Sequence, residues 1–296
     1  MSLSESSTLS SRLAALAQRM GLLGRGSRQI FARASALRLP FKPLPAVIES
    51  ICWHEGPQLQ LLLNLPRGAL SGPVQEDKAQ AHAALTQVVE AQTQQLHAFD
   101  LRMIDGFACP VPAPGYACFE DYAASEHCKQ VRIISYKDFI KTISLALPRF
   151  LPGEPIELRH ASWRGSRTFW SGETQGEAFA GAIAYARRRG LDVQLPANLV
   201  RYRLNETGLD DLQSRYHVLA MPEAAWSDPS FMGLLLENAI PYARLSLLKK
   251  AGTPEFLMLP KEHQDATALG EGLRLAGAPD VPEHLRQLTV QADAAE

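Results

Sequence analysis

Two of the four tryptophans and the densest run of arginines fall between residues 156 and 190. Arginine and tryptophan together can hold an anion and stack on a flat ring. Trp163, Arg164, Arg167 and Trp170, joined by Arg188, are therefore the candidate ligand-binding residues. If the chain did chemistry there, Arg164, Arg167 and Arg188 would bind a phosphate, Trp170 would stack on a base, and Glu173 would be the candidate catalytic general base. A structural reading competes with this one. In it the tryptophans pack a hairpin onto a helix and the arginines form a solvated rim, since aromatic and charged cross-strand pairs are ordinary sheet stabilisers.

A second cluster runs from His97 to Cys128 around the proline-rich stretch 110–115. A metal reading takes His97, Cys109, Cys118 and either Cys128 or His127 as ligands. A thiol reading pairs Cys118 or Cys128 with a histidine, as nucleophile and base. The four cysteines include no C-x-x-C pair, and their spacing matches no common zinc pattern. Neither a metal nor a cofactor is expected. His217, at a strand start, is read as a structural histidine. The chain carries no P-loop, no G-x-S-x-G and no H-E-x-x-H.

The elements that must position these residues can be read from periodicity. Ile156, Leu158 and His160 alternate with Glu157, Arg159 and Ala161, which predicts a strand. Arg164-Gly165-Ser166 is a turn, and residues 167–170 return as the second strand of a hairpin. Thr174 and Glu177 have the spacing of a capping box. The helix they open carries Phe179, Ala182, Ile183 and Ala186 on one face and ends in Arg187-Arg188-Arg189 before Gly190.

Elsewhere the pattern predicts strands over 46–53 and 58–65, a long helix over 74–99, and a short strand over 131–135. Ser135, with Asp138 three residues on, caps the next helix. Further strands are expected over 199–204 and 217–221, a helix opened by Asp228-Pro229, a hairpin from 240–249 and 255–259, and two helices between 265 and 288. Hairpins alternating with single helices, without regular βαβ units, define an α+β protein with mixed, mainly antiparallel sheets and covering helices. The domains read as a basic helical arm (1–42), an N-terminal α/β half (43–150), a central and C-terminal α+β half (151–262) and C-terminal helices (263–296). The internal boundary is placed in the proline-glycine run 148–155.

With 46% hydrophobic and 21% charged residues, the composition is that of a globular protein. The net charge of −1 supplies no global field for nucleic acid or membrane. Locally, seven basic residues face Glu5 alone within residues 1–42, giving +6 there and leaving −7 for the remainder. Residues 12–42 could therefore meet nucleic acid or an anionic membrane, although packing of the arm on the protein body is favoured. No apolar run reaches transmembrane length. Reduced cysteines and no secretory signal give a cytoplasmic expectation.

The order hairpin, Gly-Glu, helix, arginines, Gly, strand resembles the nucleotide-binding core of the ParB/sulfiredoxin superfamily. The resemblance implies a phosphate grip in the turn after the second strand. The matching residues Gly172-Glu173-Thr174-Gln175 lack the basic residues of that family. Arg167-Thr168-Phe169-Trp170, Tyr185-Ala186-Arg187-Arg188-Arg189 and Tyr216-His217-Val218-Leu219-Ala220-Met221-Pro222 together resemble an uncharacterised family of bacterial proteins of similar length, which implies no assigned activity. The functional expectation is a non-catalytic cytoplasmic binding or regulatory protein whose partner is a protein or a phosphate-bearing small molecule. The alternative is an enzyme acting on a nucleotide or another phosphate compound.

Overall fold

A computed structural model describes residues 24–44, 49–108, 115–172, 175–246 and 255–293. In chain order the helices are α1 (Arg25–Ser35), α2 (Gln75–Leu85), α3 (Phe119–Ala123), α4 (Tyr136–Ala146), α5 (Gly176–Arg189), α6 (Glu206–Arg215), α7 (Pro229–Glu237), α8 (Gln264–Leu275) and α9 (Val281–Asp293). The strands are β1 (Leu70–Ser71), β2 (Val89–Asp100), β3 (Ile104–Phe107), β4 (Ile156–Ala161), β5 (Thr168–Trp170), β6 (Gln194–Leu204), β7 (Tyr216–Met221), β8 (Ala243–Leu245) and β9 (Glu255–Pro260). The protein is α+β, with two sheets that are mainly antiparallel. No helix among the described residues is long and apolar enough to cross a membrane.

The chain divides into two units of interleaved segments. The first comprises Met1–Leu44, Leu65–Leu85 and Leu209–His284; the second comprises Pro45–Asn64, Thr86–Gly208 and Leu285–Glu296. Both differ from the division read along the sequence. The proline-glycine run 148–155 links α4 to β4 inside the second unit and does not separate domains.

In the first unit the sheet order is β1-β8-β9-β7. Its core joins Leu219, Phe231, Leu257, Leu259, Leu269 and Leu273 to Ile30 and Ala34 of α1. Part of the expected basic arm is thus a packed helix, with Ser27 Oγ donating to Asp265 Oδ1 at 2.6 Å and Arg33 paired to Glu237 at 3.0 Å. Residues 1–23, which hold the rest of the arm, lie outside the described residues.

The second unit holds the candidate residues. Its sheet runs β2-β6-β4-β5-β3. The expected hairpin is present, with Leu158 opposite Trp170 and His160 opposite Thr168. Gly165 turns it at φ +69°, a backbone angle that glycine adopts without steric cost. β6 lies parallel to β4 on the other side. Ile156, Leu158, Trp170, Leu195 and Leu199 pack beneath Phe139 and Ile143 of α4 and Phe179 and Ile183 of α5.

Several local expectations change. Residues 74–99 are not one helix: α2 stops at Leu85, and β2 pairs with β6 from Val89↔Leu204 onward. The sparse apolar residues there suit either period, and long-range pairing decided between them. The strands expected over 46–53 and 58–65 are absent from the described part, which forms 3₁₀ turns at Trp53–Glu55 and Leu59–Asn64. Leu59 and Leu62, three apart, are the buried pair, which is the 3₁₀ repeat. Residues 131–135 have no strand partner and run as coil into α4. There Ser135 caps the helix as expected, the bond being reciprocated by Asp138 in a capping box, and Asp228 caps α7 with Pro229 at its first turn. α5 instead starts after Gln175, which has no side-chain cap bond; Thr174 lies outside the described residues.

Candidate functional site

Alternation along β5 separates the residues expected to act together. Neighbouring strand residues point to opposite sheet faces. Trp170, 3% exposed, stacks on Phe179 of α5 with ring centroids 3.9 Å apart and planes 10° from parallel. Phe169 faces the other way, edge-on to Trp53 at 5.2 Å. The guanidinium groups of Arg164 and Arg167 lie 5.1 and 5.9 Å from its ring. Both arginines are therefore on the sheet face opposite Trp170.

Trp163 and Arg164 are interior residues. Trp163 is fully buried and its Nε1 donates to the Pro57 carbonyl at 3.0 Å. Arg164, 1% exposed, donates through Nη2 to the carbonyls of Ser50 and Cys52 at 3.3 and 3.2 Å. Its Nε and Nη1 are buried without hydrogen-bond partners among the described residues. Burial first, and the charge of Arg167 second, lower its pKa to about 10, against the nearby Glu55 carboxylate. A guanidinium so enclosed has no direct access to a ligand.

Arg167 is half-buried. Its Nη2 donates to the carbonyls of Asp105 at 3.0 Å and Ala117 at 2.7 Å. Burial pulls its pKa down and the Asp105 carboxylate opposes the shift. Asp105 also accepts from the Thr168 amide at 3.1 Å and from Arg187 at 3.2 Å. Arg187 completes the lattice, donating to the carbonyls of Arg102 and Ile104 and pairing with Glu120. It ties the last turn of α5 to β3 and α3. Arg188 is exposed on that turn, about 13 Å along the helix axis from Phe179, the residue Trp170 stacks on. The expected ligand set thus shares no single surface, and Glu173 lies outside the described residues.

The thiol reading lacks its nucleophile. Burial, then Glu177, pushes the Cys128 thiol up to about 11, and burial raises that of Cys118. Both stay protonated at neutral pH, whereas the thiolate is the reactive form. His127 packs against Tyr122 and Tyr116 at 5.9 and 6.2 Å. Among the described residues no group of His, Cys, Asp and Glu is placed to hold a metal ion; Cys109 lies outside them.

The arrangement that periodicity did not reveal is a cleft of about 760 Å³ at the start of α5. Lys129, Arg132 and Lys141 reach it from the segment before α4 and from α4 itself, and Asp138, Gln175 and Glu177 complete the working part of its lining. Lys129 is paired with Glu126. Arg132 and Lys141 make no ion pair among the described residues. The Asp138 carboxyl accepts from the Ser135 hydroxyl at 2.9 Å and from the Ser135 and Ile134 amides at 3.0 and 3.2 Å. The hydroxyl bond foremost, and then those amides, hold its pKa below the ordinary aspartate value. Gln175 takes the left-handed conformation (φ 59°, ψ 41°), and its side chain makes no cap bond to the first turn of α5. Amides at such a helix start favour negative charge. The resemblance to a phosphate-gripping turn pointed to 172–175. The cations missing from that turn arrive from residues 129–141, with no motif spacing to announce them.

A family model, described as a family of unknown function (DUF6685), matches residues 94–295. No curated protein and no solved structure matches.

Proposed function

The chain belongs to the DUF6685 family, and we propose that it is a non-catalytic binding protein whose ligand is a small phosphate-bearing molecule held in the cleft at the start of α5. The observation that carries this reading is the pair Arg132 and Lys141. Both line a 760 Å³ cleft beside a helix N-terminus that the Gln175 side chain does not cap. A phosphate offers several acceptor oxygens, which suits two separate cations and a row of backbone amides. Binding is preferred to catalysis because two of the cleft's carboxylates, Glu126 and Asp138, are already committed, the first to Lys129. Asp138 serves its own helix cap and has a lowered pKa, while a general base at neutral pH needs a raised one. Cys118 and Cys128, which form no disulfide among the described residues, support a cytoplasmic location as part of the proposal.

The test is a thermal-shift titration of the full chain with inorganic pyrophosphate and with AMP. Ligand at a hundred times its Kd should stabilise the native state by about 2.7 kcal/mol. The double variant Arg132→Ala, Lys141→Ala should lose the shift and keep the melting temperature of the unliganded protein. A flat titration, or an undiminished shift in the double variant, rejects the site. Phosphate released from a nucleotide by the purified chain would favour the enzyme alternative.

A further inference from the structure

We infer that the second unit holds another ligand site, independent of the anion cleft, for a small, uncharged and largely apolar molecule bearing one hydrogen-bonding group. A cavity of about 360 Å³ opens between the end of α4, the first two residues of β4, the end of β5 and the start of β6. Leu147, Phe150, Ile156, Trp170 and Leu195 supply its apolar walls. The volume falls at the lower end of the range for small-molecule sites. No residue lining this cavity also lines the anion cleft.

Two features go beyond an apolar crevice. Ser171 lines the cavity, and its Oγ is buried with no hydrogen-bond partner among the described residues. Its amide is already satisfied by the Glu157 carbonyl at 2.9 Å. A buried hydroxyl without a partner costs stability, so a ligand that engages it gains an interaction the free protein lacks. Gly172 follows with its Cα against the Trp170 indole, where any Cβ would be driven into the ring. The chain therefore passes flush against the indole, which forms the cavity wall there. At the rim Arg149 and Glu154 neutralise each other in an ion pair. Glu157, the remaining charge of the lining, is exposed and accepts from the Asn198 side-chain amide at 2.7 Å. An anionic ligand would therefore meet no unspent cation, a cation would gain little from a solvated carboxylate, and burying an unpaired charge is costly. One unsatisfied hydroxyl at Ser171 beside largely apolar walls defines the ligand's chemistry.

The experiment is isothermal titration and thermal shift of the full chain with phenol and indole as probes. Saturable binding of at least one probe is expected. Ser171→Ala should weaken it about three- to tenfold, the range for one hydrogen bond. The same variant should leave the unliganded melting temperature unchanged or raise it, because the buried hydroxyl is gone. Leu147→Trp, which adds bulk at the wall, should abolish binding. The Arg132→Ala, Lys141→Ala variant should bind both probes as the parent does, so failure of the anion cleft would be seen separately. The inference is overturned if neither probe saturates the parent chain. It is also overturned if Ser171→Ala binds with unchanged affinity, or if Ser171→Ala lowers the unliganded melting temperature.

Discussion

The hairpin and the cleft at the start of α5 both gather cations within one unit, yet the two groups do different work. At the hairpin Arg164 has its donors inside the protein, on the carbonyls of Ser50 and Cys52, and Arg167 holds those of Asp105 and Ala117. Arg187 likewise grips two carbonyls and two carboxylates. These arginines bind the chain to itself. At the cleft Arg132 and Lys141 are exposed and make no ion pair among the described residues. A cation is a ligand-binding candidate when folding has left its donors free, and its neighbours in sequence do not report that.

The contrast predicts a graded set of stability effects. Arg164→Ala should be the most damaging, costing about 3–5 kcal/mol by opening a cavity and orphaning two carbonyls. Urea unfolding measures it, and an unmoved midpoint would erase the distinction between the two regions. Arg187→Ala should follow at about 2–3 kcal/mol, since the residue is only partly buried and loses bonds to charged groups.

The third effect is pH-dependent and concerns Cys128, whose thiol donates towards the Glu177 carbonyl next to the cleft. Its folded pKa is pushed up to about 11, against about 8.5 for an ordinary thiol. Between those values the native state keeps a proton that the unfolded chain releases. Stability is therefore whole below about pH 8.5 and declines as pH rises, by at most about 2 kcal/mol at pH 10. Unfolding midpoints from pH 7 to 10 should show that slope in the parent and a shallower one in Cys128→Ala; parallel slopes would place the thiol in water. Smallest of all, Arg132→Ala and Lys141→Ala should each move stability by no more than about 0.5 kcal/mol. A larger loss in either would show that the cleft cations are structural too, and would dissolve the comparison from its other side.

The β4–β5 hairpin, α5, the Ser135 cap and the Asp228 cap were legible because each is written within a few neighbouring residues. Gly165 and Gly190, both at positive φ, sit where the turn and the helix end were expected. Residues 89–100 were not legible. Val89, Leu96 and Phe99 fit a helical face as well as a strand, and only the partner strand β6 resolves the choice. The cleft at the start of α5 was not legible: Lys129, Arg132 and Lys141 stand at spacings that match no motif. Trp163 and Arg164 were over-read for a related reason: periodicity marks them as hairpin residues, and nothing local says that Pro57, Ser50 and Cys52 will close over them.

By itself the amino-acid order determined the α+β class, the hairpin, the capped helices and the absence of familiar catalytic motifs, because propensity, capping and turn geometry act over about four residues. Tertiary structure alone decided which cations face solvent, on which sheet face each tryptophan lies, and that α4 and the segment before it bring charge to the start of α5. Those outcomes depend on desolvation and packing between residues tens to more than a hundred positions apart, which short-range patterning does not encode.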